Sequence, residues 1–240
     1  IMVNKPELQF CCEFEFYVNQ MIEDELINEL SSLLKTELII NHNNSKNDDM
    51  KMNYKRDLSL IGDTGREITT PICTLSDLKE YIVNISKIIS SNAQTNEDTG
   101  FHIHISTKDE SAVDFYRFML LCNDNELLTN WGIRNGFSLN VMDILDSLDM
   151  VEAKKFKNKK GRIWNLEKIS NNHIEIRTMG GTNYQLKVDQ ILLELNIFIE
   201  IFYKSLGKPD KTYIEIFKKH HDKLINCSQE RRDKFLEVIN

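Results

Sequence analysis

Residues 9–18 read QFCCEFEFYV, and this stretch decides the fold. Acidic and aromatic residues alternate in its centre, which is the pattern of a β-strand with one buried face. Because the side chains of residues i and i+2 point to the same face of a strand, Glu13 and Glu15 share one face. Phe14 and Phe16 share the opposite face. The aromatic face needs a cover, and the carboxylates need either water or a counter-charge.

The same alternation recurs in three later segments of the chain. The pairs that would share a polar face are Glu67 and Thr69, His102 and His104, and Glu175 and Arg177. If these strands are neighbours, carboxylates, imidazoles and a guanidinium collect on one surface, where like charges repel unless a cation lies among them. Carboxylate-rich sites favour Mg²⁺ or Mn²⁺ over zinc. The alternative is an ordinary solvated sheet face, on which Glu175 and Arg177 form a surface ion pair.

Length and composition limit the classes of protein that this chain can be. Its 240 residues include 30 Lys+Arg and 37 Asp+Glu, giving a net charge of −7. The acidic balance argues against a nucleic-acid partner, whose phosphates would need basic residues. No apolar run is long enough for a membrane span, and five cysteines without a paired spacing do not indicate a disulfide framework. We therefore expect a cytoplasmic protein with no membrane partner. Its oligomeric state is left open.

The remaining periodicities predict a mixture of helices and strands. Strands are predicted over residues 9–18, 57–61, 66–70, 101–106, 163–168 and 173–179, with a polar loop over 41–53. Helices are predicted over 23–38, 74–91, 111–128, 143–156 and 186–206, and near 213–225 and 229–239. We expect one α+β domain over 1–240, with a curved, mainly antiparallel sheet. Helices would pack on its apolar face, and its polar, concave face would carry the site.

Six short motifs in a fixed order resemble the amidoligase family. The motifs are Glu13-Phe14-Glu15-Phe16, Asp57-Leu58-Ser59, Glu67-Ile68-Thr69-Thr70-Pro71, Gly100-Phe101-His102-Ile103-His104, Arg162-Ile163-Trp164-Asn165, and Ile174-Glu175-Ile176-Arg177 followed by Gly181-Thr182. That family belongs to the glutamine synthetase and glutamate–cysteine ligase superfamily of carboxylate–amine ligases. The resemblance covers residues 9–182, and the C-terminal helices over 186–239 match in character only.

The resemblance implies a role for each motif. Glu13, His102 and Glu175 would bind one metal ion, and Glu15 and Glu67 another. The residues implied to contact the nucleotide are His104, Arg162, Asn165 and Arg177. Among these, Arg162 and Arg177, together with the metal ligand Glu67, would act directly in catalysis.

The same resemblance implies the reaction. The chain would use ATP and Mg²⁺ (or Mn²⁺) to join a small-molecule or peptide carboxylate to an amine through an acyl phosphate. This chemistry needs metal and arginine charge more than covalent help from the protein. Two alternatives stay open: a metal-dependent hydrolase or oxygenase that uses His102 and His104, and a catalytically inactive relative that binds a nucleotide or peptide.

Other polar features are interpreted as structural. The basic residues 154–160 are interpreted as a solvated loop, with a lid over the substrate as the alternative. His42, His173, His220 and His221 have no partner at a recognisable spacing and are interpreted as surface or structural histidines. One of Cys11 and Cys12 must face the core, because neighbouring residues in a strand alternate.

Overall fold

The structure, a computed structural model, describes residues 5–33, 36–41, 46–122, 124–132, 164–165 and 172–208, together with isolated positions beyond 208. Several predictions fall outside this part of the chain. They are the helix over 143–156, the basic residues 154–160, Arg162, and most of the two helices near 213–225 and 229–239.

Up to residue 208, the described residues contain eight strands, five α-helices and a 3-10 helix at Tyr184–Leu186. The strands are β1 (Leu8–Val18), β2 (Leu38–Asn41), β3 (Met52–Arg56), β4 (Gly65–Thr69), β5 (Ala93–Gln94), β6 (Gly100–Thr107), β7 (Trp164–Asn165) and β8 (His173–Gly180). The helices are α1 (Glu23–Leu33), α2 (Leu75–Asn92), α3 (Phe115–Leu121), α4 (Asp124–Trp131) and α5 (Val188–Lys204).

The strands form one open mixed sheet in the order β2-β3-β4-β1-β6-β8-β7, and β5 pairs with the end of β1. Among the described strands only the β2–β3 pairing is parallel. The strand that carries Glu13 and Glu15 is therefore central, with β4 on one side and β6 on the other. The mixed α+β class and the mainly antiparallel sheet agree with the sequence-based prediction.

The helices cover the aromatic face of the sheet. Phe14, Phe16 and Phe101 are fully buried and belong to the same core as α2 and α5. Each such side chain contributes roughly 1.5–3 kcal/mol when it leaves water. Thr74 caps α2, because its Oγ1 accepts a hydrogen bond from the amide of Asp77. The opposite face of the sheet is left to the polar side chains.

One prediction near β3 is wrong. No strand is observed over 57–61, and the strand of this region is Met52–Arg56, whose first two residues are the last two of the loop predicted over 41–53. Asp57 ends this strand because its Oδ1 accepts hydrogen bonds from the amide and the hydroxyl of Ser59, which turns the chain. Met52 and Tyr54 are buried, so an alternating strand signal was present where the predicted loop ends.

Two predicted helices have different bounds from those observed. The helix expected over 23–38 is shorter in the structure: α1 ends at Leu33, and Leu38 is the first residue of strand β2. The helix expected over 111–128 divides into α3 and α4, and residues 111–114 precede α3 as extended chain. Asp114 starts α3 because its side chain accepts a hydrogen bond from the amide of Arg117.

Within the described residues, no helix combines the length and the apolar composition that a membrane span requires.

Candidate functional site

The register of the central strands places the predicted site residues beside one another. Across the sheet, Glu15 lies opposite Glu67, Glu13 opposite His102, and His104 opposite Glu175. Glu15, Glu67, His102, His104 and Glu175 are all buried, and the Glu13 side chain is 20% exposed. Four neighbouring strands thus contribute to one polar patch, which is buried instead of solvated.

Three residues form what we call the imidazole group: Glu13, His104 and Glu175. They offer ligand atoms that all lie within 4.8 Å of one another. His104 Nε2 is 3.1 Å from Glu13 Oε1, and its Nδ1 is 2.8 Å from Nε2 of His173. The sequence-based reasoning placed His104 at the nucleotide and His102 at this metal. The geometry groups His104 with Glu13 and Glu175.

His102 lies between the imidazole group and the next acidic residues. Its Nδ1 is 2.9 Å from Glu13 Oε2 and 3.6 Å from Glu175 Oε1. Its Nε2 points the other way, 3.7 Å from Glu15 Oε1. Because an ionised carboxylate only accepts hydrogen bonds, Nδ1 of His102 carries the proton that Glu13 accepts. In a neutral imidazole this leaves a lone pair on Nε2, facing Glu15.

Arg177 supplies positive charge beside the imidazole group. Its Nη1 forms an ion pair with Glu175 Oε1 and lies 3.4 Å from His102 Nδ1. The side chain is only 13% exposed. A guanidinium held here can neutralise a further anion.

Three further acids form what we call the carboxylate group: Glu15, Asp57 and Glu67. Their ligand oxygens also lie within 4.8 Å of one another, and all three residues are buried. Glu15 Oε2 accepts a hydrogen bond of 2.6 Å from the amide of Gly100, the first residue of the Gly-Phe-His-Ile-His motif. Lys55 Nζ is 2.8 Å from Glu67 Oε1. Among the described residues this is the only ion pair from a lysine or arginine to the carboxylate group.

Two buried polar atoms at this site have no hydrogen-bond partner among the described residues. They are Nε2 of His102 and Oδ2 of Asp57. An unsatisfied buried acceptor costs roughly 1–3 kcal/mol. Both atoms belong to ligand types for a divalent cation, and both lie near Glu15: Asp57 is in the carboxylate group, and His102 Nε2 is 3.7 Å from Glu15 Oε1. The residues present therefore fit one cation in the carboxylate group and a second in the imidazole group.

The pKa shifts of Glu13 and Glu67 differ in direction. Burial alone raises the pKa of Glu13, but the charge of His104 and the hydrogen bonds from His102 and His104 outweigh it and hold that pKa well below the usual value. The pKa of Glu175 is lowered for the same reason, with His104 first and Arg177 assisting. Burial and the charge of Glu13 raise the pKa of Glu67, and Lys55 offsets only part of this rise.

A cavity of about 380 Å³ adjoins the imidazole group. Glu13, His104 and His173 line it, together with the ammonium-bearing side chains of Lys46 and Lys55. Its volume is in the range of small-molecule sites in proteins. A ligand in this cavity would therefore contact both the imidazoles and the positive charges.

A larger cavity of about 610 Å³ lies where β1 ends. Its lining contains no carboxylate, ammonium, guanidinium or imidazole, and includes the side chains of Tyr17, Asn92, Gln94 and Asn96. Tyr17 follows Glu15 by two residues on β1, so the two side chains share a face of that strand.

Three residues of the site were missed or misjudged from the sequence. Asp57 was quoted within a motif but given no metal role, because it was placed inside a strand. Lys55 was not considered, and His173 was interpreted as structural although it contacts His104. The signal available for His173 was its period-2 spacing from Glu175, which puts both on one face.

Two predicted nucleotide contacts are not tested by the geometry. Arg162 lies outside the described residues, and Asn165 is described only through the pairing of β7 with β8, where it lies opposite Glu175.

Thr70 has a visible structural role, because its Oγ1 accepts a hydrogen bond of 2.9 Å from the amide of Cys12. Cys12 faces the core and Cys11 is partly exposed, as strand alternation requires.

Comparison of the chain with protein-family models and with curated proteins gave no match.

Proposed function

We propose that this protein is an ATP- and Mg²⁺-dependent carboxylate–amine ligase with a glutamine synthetase-like catalytic fold. One observation carries the proposal. Acids and imidazoles that are far apart in the sequence meet on one buried sheet face, where His102 Nε2 and Asp57 Oδ2 lack hydrogen-bond partners among the described residues. Such a face is costly unless cations bind to it.

Each group of ligands has a role in this proposal. The carboxylate group and the imidazole group would each hold one divalent cation, with His102 between them. Bound there, the cations would neutralise the charge of the phosphates. Arg177, beside Glu175, is placed to neutralise the phosphoryl group during transfer. Arg162 and Asn165 stay predictions from the motif.

The reaction has two steps that conserve atoms and charge. The substrate carboxylate attacks the γ-phosphorus of ATP, so that an acyl phosphate forms and ADP leaves. The amine then attacks the acyl carbon, the C–N bond forms, and phosphate leaves with the electron pair of the C–O bond and takes up the proton that the amine nitrogen loses. A buried site suits this sequence because water would otherwise hydrolyse the acyl phosphate.

Two cavities lie near the ligand groups, and in this proposal they would take the nucleoside of ATP and the acid substrate. The uncharged cavity at the end of β1 matches a nucleoside in polarity, since amide and hydroxyl side chains pair with base and ribose edges. The cavity with Lys46, Lys55 and His104 matches a small charged acid.

ADP release in the presence of Mg²⁺, measured across a panel of acids and amines, tests the proposal. We expect release that depends on an acid and an amine together, with phosphate formed in equal amount. Arg177→Ala should lower this rate by on the order of 100-fold, since it removes transition-state charge stabilisation. The matched control is Arg56→Ala, because Arg56 pairs with the exposed Asp63 away from the site.

Other results would support the alternatives. Tightly held zinc or iron in the purified protein, with no effect of ATP, would favour a hydrolase or oxygenase. ATP binding without turnover on the whole panel would favour an inactive relative. Either result would contradict the ligase proposal.

A further inference from the structure

Lys55 is the ammonium that faces the carboxylate group. It lies opposite Glu67 in the β3–β4 register, with Nζ 2.8 Å from Glu67 Oε1 and a side chain that is 27% exposed. We propose that Lys55 is a built-in counter-charge that competes with a divalent cation for the carboxylate group and so lowers the affinity of this site. The inference deepens the proposed function and rests on it, because it presupposes cation binding there.

The charges around the group support competition. Three buried carboxylates lie within 4.8 Å of one another, and one ammonium pairs with them among the described residues. When no cation is bound, that ammonium reduces the repulsion between the acids. When a cation with two positive charges binds, the same ammonium lies close to it and repels it, most strongly in a site of low dielectric.

The structure also provides a place for the displaced side chain. Lys55 lines the cavity of about 380 Å³ with Lys46, and its partial exposure leaves it a route away from Glu67. A long lysine side chain can turn its ammonium while its methylene stem stays packed. In the cavity, the ammonium would meet the anionic group of a bound acid or phosphate.

A rival role for Lys55 follows from the same hydrogen bonds. Lys55 Nζ and Thr69 Oγ1 both contact Oε1 of Glu67, at 2.8 and 2.9 Å. Lys55 could in this role remain in place and orient the carboxylate so that its other oxygen binds the cation. The two roles predict opposite effects when the ammonium is removed.

Calorimetric titration of the whole chain with Mn²⁺ and with Mg²⁺ separates these roles. We expect Lys55→Gln to bind the cation about tenfold more tightly than wild type, a change of about 1.4 kcal/mol. Lys55→Arg keeps the charge and should resemble wild type. The matched control is Lys51→Gln, because Lys51 precedes β3 and pairs with the exposed Glu37 at 2.9 Å. Weaker binding by Lys55→Gln would overturn the proposal in favour of the orienting role, and unchanged binding would contradict both roles.

Two further outcomes keep the inference separate from the proposed function. If neither wild type nor Lys55→Gln binds either cation, the proposed function fails and this inference with it. If both bind with equal affinity, the proposed function stands and only the inference fails. Should Lys55→Gln unfold without cation, Mn²⁺-driven refolding followed by circular dichroism replaces the titration. We then expect Lys55→Gln to refold completely at Mn²⁺ concentrations below the dissociation constant of wild type for Mn²⁺. Refolding only at higher Mn²⁺ concentrations would reject the inference.

Discussion

Each ligand group contains a glutamate on one of two neighbouring strands, yet the two groups shift the pKa of that glutamate in opposite directions. Glu13, in the imidazole group, has a pKa held well below the usual value, whereas Glu67, in the carboxylate group, has a raised pKa. Burial raises the pKa of both side chains, so burial does not explain the opposite directions of the two shifts. The neighbours do: two imidazoles flank Glu13, and Glu67 faces other acids and one lysine.

This contrast shows what each group requires to be stable at neutral pH. The imidazole group contains its own positive charge, with Arg177 in addition. The carboxylate group is short of positive charge, and Asp57 Oδ2 has no hydrogen-bond partner among the described residues. We therefore expect added divalent cations to stabilise the carboxylate group more than the imidazole group.

Removing an acid from the carboxylate group should have the largest effect. Glu15→Gln should weaken cation binding by at least about 100-fold, because it replaces a ligand that faces both Glu67 and the lone pair of His102. Titration calorimetry with Mn²⁺ measures this. Glu7→Gln is the control, since Glu7 is exposed and pairs with Lys108. Equal affinities for the two variants would show that the carboxylate group is not a cation site.

The low pKa of Glu13 predicts a loss of stability in acid. A carboxylate whose folded pKa lies below the unfolded value of about 4.5 stabilises the protein fully above that pH, and this stabilisation disappears as pH falls. Glu13→Gln should cost about 1–3 kcal/mol at pH 7, because the imidazole donors lose a charged acceptor. Urea unfolding in EDTA should show the difference in unfolding free energy between wild type and Glu13→Gln shrinking as pH falls below about 4.5. A difference in unfolding free energy that stays constant with pH would contradict the pairing of Glu13 with the imidazoles.

The raised pKa of Glu67 predicts the opposite trend. Because its folded pKa lies above the unfolded value, wild type should lose stability relative to Glu67→Gln as pH rises from about 4.5. We expect a relative change of roughly 0.5–2 kcal/mol in the free energy of unfolding. The same urea series in EDTA measures it. If wild type instead gains stability relative to Glu67→Gln as pH rises, Lys55 affects the pKa of Glu67 more strongly than burial and the charge of Glu13 do.

Changing His173 should have the smallest effect. His173→Ala removes the partner of His104 Nδ1, which lies at 2.8 Å. We expect cation affinity at the imidazole group to fall by about tenfold, since His173 orients a ligand without being one. His173→Gln can still donate a hydrogen bond and should recover part of the loss. If both variants bind as wild type does, His173 has no orienting role.

Much of the sheet was predictable because its signal is local. Alternation within β1, β6 and β8 follows from neighbouring residues, so Glu13 and Glu15 could be placed on one face from their spacing alone. The position of β3 was predicted wrongly for two reasons. Asp57 terminates the strand through its own side chain, and the apolar alternation of Met52 and Tyr54 was weak beside the polar residues around them.

The contents of the site were only partly predictable. The motifs led to Glu13, Glu15, Glu67 and His102, which do lie together. Asp57 and Lys55 join them from the turn and the strand before β4, and their distance to Glu67 depends on how β3 pairs with β4. No local pattern encodes that pairing.

The sequence by itself determined which residues share a face, because a strand alternates with a period of two whatever surrounds it. It also determined the acidic balance and the mixture of helix and strand. Only the tertiary structure decided which strands are neighbours, and with that which acid faces an imidazole and which faces a lysine. The protonation of each carboxylate depends on charges a few ångströms away in space, and residues 89 positions apart, such as Glu13 and His102, supply them.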